Sequence, residues 1–173
     1  ARIQSGGFTL KKEWQLLEEI VGSALHTLEG ILEDNHVIIQ IPPDLPLLNC
    51  DSSLLERVFL NLLENAVKYA GPQATISISA TVQPEQQAIE VIIRDNGAGI
   101  IHGQEQAIFD KFSRGNKESA IHGIGLGLAI CQAIIHFHGG RIRAENGPDG
   151  GAWFYFTLPL EPQPEIITSM EES

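Results

Sequence analysis

Apolar residues recur at helical spacing in three stretches of the chain, with shorter β-branched and alternating runs between them. The first helical pattern covers roughly 13–33, where Leu16, Leu17, Ile20, Val21, Ala24, Leu25, Leu28 and Leu32 repeat. The second runs from Ser53 to Ala70 and stops at Gly71-Pro72, with Leu55, Phe59, Leu62, Leu63, Ala66 and Ala70 on one side. Ser53 and Glu56 fit a capping box, in which each side chain satisfies a free backbone N–H at the helix start. The third covers about 125–138 and ends at Gly139-Gly140. Strand patterns lie in FTLKKEW, in VIIQI at 37–41 before Pro42-Pro43, and near 74–82 and 88–95 around the polar turn QPEQQ. Two more, near 141–146 and 152–158, flank GPDGG. Mixed strands and helices with two hairpins predict an α/β sandwich: a mixed, mainly antiparallel sheet covered on one face by about three helices.

From Asn96 to Gly123 the sequence is rich in Gly and polar residues, with the apolar island IFDKF at 108–112. Loops this long are uncommon unless they are functional, so this one reads as a lid over a site, anchored to the core by Phe109 and Phe112. Residues 1–7 end in Gly-Gly and read as the stub of something longer. The acidic, Pro-containing tail 161–173 is expected to be disordered, which leaves 8–160 as the domain.

Composition narrows the class of partner. The 173 residues are 43% apolar, enough for one core, while 22 acids against 11 bases give a formal charge of −11. That balance argues against DNA, RNA or an anionic membrane as partner. Cys50 and Cys131 have no paired spacing, which points to a reducing compartment without a zinc or disulfide framework. The N-terminus has no signal-peptide pattern, and the longest apolar stretch, LAICQAIIHF at 128–137, is too short to span a bilayer. A cytoplasmic domain without membrane contact of its own is the expectation.

Four segments carry candidate chemistry. Asn61, Asn65, Lys68 and Tyr69 line up on the helix face opposite the apolar one. Two asparagines, poor helix formers, are an odd choice for mere solubility. An Asn oxygen is a hard, neutral ligand suited to Mg²⁺, Lys supplies charge for phosphate, and Tyr offers a flat ring for a base. A plain solvated face is the competing reading. Second, RDNGAGI at 94–100 follows the strand VII at 91–93. A buried Asp95 would select a base bearing an amine, such as adenine, and reject guanine, whose carbonyl oxygen it repels. An ordinary D-N-G turn explains the same letters. Third, Gly123, Gly125 and Gly127 open the third helix, where free N–H groups and the helix dipole favour phosphate. Neither a Walker loop nor a dinucleotide fingerprint is present. Fourth, Lys111, Arg114 and Lys117 cluster in the lid of an otherwise acidic chain, suggesting an anionic ligand.

In this order the four segments resemble the catalytic domain of histidine kinases, within the gyrase, Hsp90, histidine kinase and MutL superfamily. NLLENAVKYA is similar to the family's N box, DNGAG to its first glycine box, IFDKFSRG to its F box, GIGLGL to its second glycine box, and GGAWFYFTLPL to its closing hairpin. The wording FDKFSRGNKESAIHGIGLGLAI, with SGGFTLKKEW upstream, is closer still to one branch, the KdpD-type sensor kinases of potassium systems. The resemblance implies a Bergerat-type sandwich that holds ATP between its helices and a lid.

Residue by residue, it implies Asn65 as the Mg²⁺ ligand with Asn61 beside it toward the phosphates, Lys68 on phosphate and Tyr69 flanking adenine. Asp95 would take the adenine amine, with Gly97, Gly99 and Ile100 shaping that wall. Lys111, Phe112 and Arg114 would come from the lid, with Arg114 reaching the phosphates. Gly123, Ile124, Gly125, Leu126 and Gly127 would bend the lid and offer N–H groups. Glu64 would aid the acceptor histidine or order metal-bound water, two roles left open.

The implied reaction moves the γ-phosphoryl of ATP to a histidine. None of His26, His36, His102, His122, His136 or His138 stands in a phosphoacceptor context, so the acceptor is expected on a separate domain. The implied partners are ATP, that domain of the same protein, and a cognate response regulator; the parent is expected to be a homodimer anchored in a bacterial inner membrane. A clamp-type ATPase is disfavoured because Asn61 stands where hydrolytic relatives place Glu. A nucleotide-sensing module without catalysis is the other rival.

Overall fold

The computed structural model describes residues 2–5, 8–110 and 124–165. Its elements in chain order are β1 (Arg2–Ser5), β2 (Phe8–Lys11), β3 (Glu13–Gln15), α1 (Leu17–Thr27), β4 (His36–Gln40), β5 (Leu48–Cys50), α2 (Ser52–Ala70), β6 (Thr75–Gln83) and β7 (Ala88–Asp95). Short 3-10 turns at Pro84–Gln86 and Ala107–Phe109 flank β7, and α3 (Ile124–Phe137), β8 (Ile142–Asn146) and β9 (Ala152–Pro159) complete the order. The main sheet runs β4-β6-β7-β9-β8; β4 lies parallel to β6 and every other pairing is antiparallel. The expected mixed, mainly antiparallel sheet under three helices is therefore present.

Alternation along the strands sets the two faces. In β7, Ile89, Val91 and Ile93 point into the core, which Ile76, Ile78, Phe154, Phe156 and Leu158 share from the neighbouring strands. The apolar side of α2 packs on them, and Phe59 meets Phe156 edge-on at 5.6 Å. The opposite sheet face carries charged and aromatic side chains: Arg94 lies over Trp153 at 4.8 Å and Arg143 over Tyr155 at 3.7 Å, with Glu145 3.3 Å from Arg143.

Two local expectations need correction. The first helix is shorter than 13–33, because Glu13–Gln15 is a strand paired with β5. Beyond Thr27 the chain turns, yet Leu28 and Leu32 stay in the core, so the apolar pattern outlasts the helix. The cap of α2 is Asp51, not Ser53: Asp51 Oδ1 accepts from Leu54 N at 3.2 Å and Oδ2 from Lys11 N at 3.0 Å. An acid that two backbone amides hold outcompetes a hydroxyl already inside the first turn. At the two ends of the described chain, Arg2–Ser5 pairs with β2 as a strand, and residues 161–163 contact the domain. Glu161 meets Lys12 at 3.2 Å, and Gln163 exchanges hydrogen bonds with the backbone of Leu47 at 2.8 and 3.1 Å. Residues 166–173 lie outside the described ones.

Candidate functional site

Helix α2 carries the amide pair, with Asn61 toward α3. Asn65 is buried, with 8% of its surface exposed, rather than lying on an open face. Its Oδ1 has no hydrogen-bond partner among the described residues. A buried acceptor left unpaired costs about 1–3 kcal/mol, so a group that meets it is strongly favoured there. A hard, neutral carboxamide oxygen matches the donor chemistry of Mg²⁺, and the residues present fit such an ion. Among the described residues no three His, Cys, Asp or Glu side chains gather. A magnesium ion here would therefore take most of its ligands from phosphate and water.

One turn earlier, Asn61 is half-buried and its Nδ2 donates to the carbonyl of Gly127 in the first turn of α3, at 3.2 Å. It thus joins the amide helix to the glycine-rich helix start. Glu64, Lys68 and Tyr69 are exposed on α2.

Asp95, at the end of β7, is the second buried polar group, also 8% exposed. Its Oδ1 accepts from Gly97 N at 2.9 Å and from Ala152 N at 3.2 Å. Two backbone amides fix the carboxylate, leaving Oδ2 as the atom to meet an amine. The loop that follows is pressed against α2: a Cβ on Gly97 would lie 2.5 Å from Ala70 Cα. Ala70 stands five residues past Asn65, about 7.5 Å along the helix axis. Helix α2 thus carries the amide pair and also, at its C-terminal end, the residue on which the loop after Asp95 rests. Gly151 packs on the end of β7, in a left-handed conformation (φ +79°) where a Cβ would overlap the Asp95 carbonyl oxygen.

Phe109 is buried against Phe154, ring centroids 6.1 Å apart, and anchors the near end of the lid as expected. Lys111, Phe112, Arg114, Lys117 and Gly123 fall outside the described residues. Of Ile124, Gly125 and Leu126 only the backbone is described; they form the first turn of α3, whose leading N–H groups lack intrahelical partners. Burial pushes both Cys50 and Cys131 thiols up to about 12, which leaves them protonated and without nucleophilic character.

Sequence reasoning missed the contribution of the β8–β9 turn. Asn146 and Gly151 both contact the glycine loop, but ENGPDGG reads as a generic hairpin turn, and its letters carry no sign of what packs on them.

Residues 50–162 match the family described as histidine kinase-, DNA gyrase B-, and HSP90-like ATPase. The chain is 58% identical over 166 residues, 96% of its length, to the sensor protein KdpD of Escherichia coli K12. It is 42% identical over 122 residues, 70% of its length, to the adaptive-response sensory kinase SasA of a Nostoc species. It spans 18% of the first relative and 30% of the second. Among solved structures, a mycobacterial sensor histidine kinase, MprB, superposes with a TM-score of 0.74 at 27% identity, covering 86% of this chain and 97% of that one.

Proposed function

We propose that this chain, which belongs to the histidine kinase-, DNA gyrase B- and HSP90-like ATPase family, binds ATP as the catalytic domain of a sensor histidine kinase. The observation that carries the reading is the presence of two buried polar groups of the right chemistry: a carboxylate held by two amides, and a carboxamide oxygen without a partner among the described residues. Asp95 Oδ2 accepts from the adenine amine, and a guanine carbonyl in that place would meet like charge. Tyr69 flanks the base, while Lys68 and the first N–H groups of α3 face the phosphates. Asn65 Oδ1 holds a magnesium ion, which when bound offsets phosphate charge. Arg114, Lys111 and Phe112 belong to the lid that covers the nucleotide.

Phosphoryl transfer of this kind rests on positioning and charge neutralisation. The acceptor is a histidine nitrogen on a dimerisation domain of the parent protein, which needs no strong base to become nucleophilic. Asn61 supports transfer over hydrolysis, since an amide cannot activate water as a Glu would, and Glu64 either aids the acceptor histidine or orders metal-bound water. A cognate response regulator then receives the phosphoryl group. In this reading the parent is a homodimeric, membrane-anchored protein that senses potassium or osmotic conditions; the likeness to a sensor protein supports the sensing role.

The test is to incubate the chain with γ-labelled ATP and a separate acceptor-helix domain. Label on that domain's histidine is the expected result. Free phosphate alone would mean an ATPase, and neither product would mean a nucleotide sensor.

A further inference from the structure

We infer that Asn146, the last residue of β8, is a positioning residue that holds the adenine wall of the nucleotide pocket in shape; the inference rests on the ATP-binding reading above. Its side chain does for the loop what a neighbouring strand would do. Asn146 Oδ1 accepts from Ile100 N at 2.6 Å, and Asn146 Nδ2 donates to Ile100 O at 3.0 Å. One amide thus satisfies both backbone groups of a residue 46 positions away.

The backbone is shaped to receive it. Gly99 is left-handed (φ +87°), and a Cβ there would stand 2.5 Å from Asn146 Oδ1 and 3.2 Å from Gly151 O. The loop therefore approaches the end of β8 as closely as only a glycine allows.

The same strand end also serves the carboxylate. Asn146 pairs with Ala152 in the β8–β9 register, and Ala152 N donates to Asp95 Oδ1. A closed circuit follows: Asp95 to Ala152, across the ladder to Asn146, then to Ile100 and back through Gly99 and Gly97. Beyond it residues 101–104 are exposed, Ile101 to 78%. Asn146 is accordingly the tie that holds the glycine loop before this exposed stretch. Cutting it frees residues 97–100, whose ordering must then be supplied by the nucleotide, so affinity falls while the sheet stays intact.

The test compares the intact chain with Asn146→Ala, and with Glu145→Ala as a control for general damage to β8. ATP and GTP affinities are measured with Mg²⁺ by displacement of a fluorescent ATP analogue, alongside thermal melting. Two lost hydrogen bonds predict roughly tenfold weaker ATP binding for Asn146→Ala. A narrowed preference for ATP over GTP and a nearly unchanged melting temperature should accompany it, with Glu145→Ala binding as the wild type does. Wild-type ATP affinity and ATP/GTP preference in Asn146→Ala would overturn the inference while leaving the nucleotide reading intact. Failure of the unaltered chain to bind ATP would overturn the reading and the inference with it. Should Asn146→Ala not fold, Asn146→Asp, which keeps an acceptor for Ile100 N–H and loses the donor, carries the same comparison.

Discussion

Asn65 and Asp95 are the residues on which the proposed chemistry turns, and each has a substitution that separates chemistry from folding. Asn65→Ala removes the unpaired acceptor without adding bulk, so the fold should survive. The gain in ATP affinity that magnesium brings should largely vanish in calorimetric titrations with and without the ion. Asp95→Asn keeps Oδ1 for the amides of Gly97 and Ala152 but can set an N–H against the adenine amine. Roughly 10- to 100-fold weaker ATP binding is expected, with an unchanged circular dichroism spectrum. Unaltered affinity would remove the base-recognition role. The amide pair was legible because asparagines are costly within a helix and have to be explained. The burial of Asn65 was not, since a helical wheel gives direction but not how closely the neighbouring elements approach. Asn146 was illegible for a related reason: an Asn opening a turn is ordinary, and its partner stands 46 residues away.

At the scale of elements, the position of the Asp95 loop depends on how tightly Gly97 lies on α2. A methyl at Gly97 would stand 2.5 Å from Ala70 Cα and 2.7 Å from Ala70 Cβ, and helix backbone cannot swing aside. Gly97→Ala should therefore lower stability by about 1–3 kcal/mol in urea unfolding. Gly22, inside α1, has nothing within 4 Å of its Cβ position, so Gly22→Ala should be neutral or stabilising by up to about 1 kcal/mol. Equal effects of the two would contradict the close approach. The strands and helices themselves were readable from periodicity, including the ends of α2 and α3 at glycine. The start of α1 was not, because Glu13–Gln15 continues an apolar rhythm compatible with a helix, and only its pairing with β5 makes it a strand. The capping of α2 by Asp51 depended in the same way on Lys11, brought in from a distant strand.

Across the whole molecule, His138 joins the end of α3 to the start of α2. Its Nε2 accepts from Asp51 N at 3.0 Å while Nδ1 faces Ile134 O at 2.8 Å, so the neutral ring bridges the end of α3 to the cap of α2. Burial pushes its pKa below the ordinary value of about 6.5; Lys12 adds to this, while Ile134 O and Asp51 oppose it. The unfolded chain therefore binds this proton more readily than the folded one. The stabilisation is complete above about pH 6.5 and is lost as pH falls toward the lower folded value. Urea unfolding at pH 8 and pH 5.5 should show a larger drop for the wild type than for His138→Gln, and His136→Gln, at an exposed site, should behave as the wild type. The architecture was legible in outline because motif order and hairpin turns constrain it. The bridge was not, as a histidine in an apolar helix end reads simply as packed. A crystal structure of the chain with an ATP analogue and magnesium tests the central claim most directly. The account predicts the adenine amine on Asp95 and the ion about 2.0–2.1 Å from Asn65 Oδ1. A nucleotide bound away from these two groups, or with its base turned from Asp95, would contradict it.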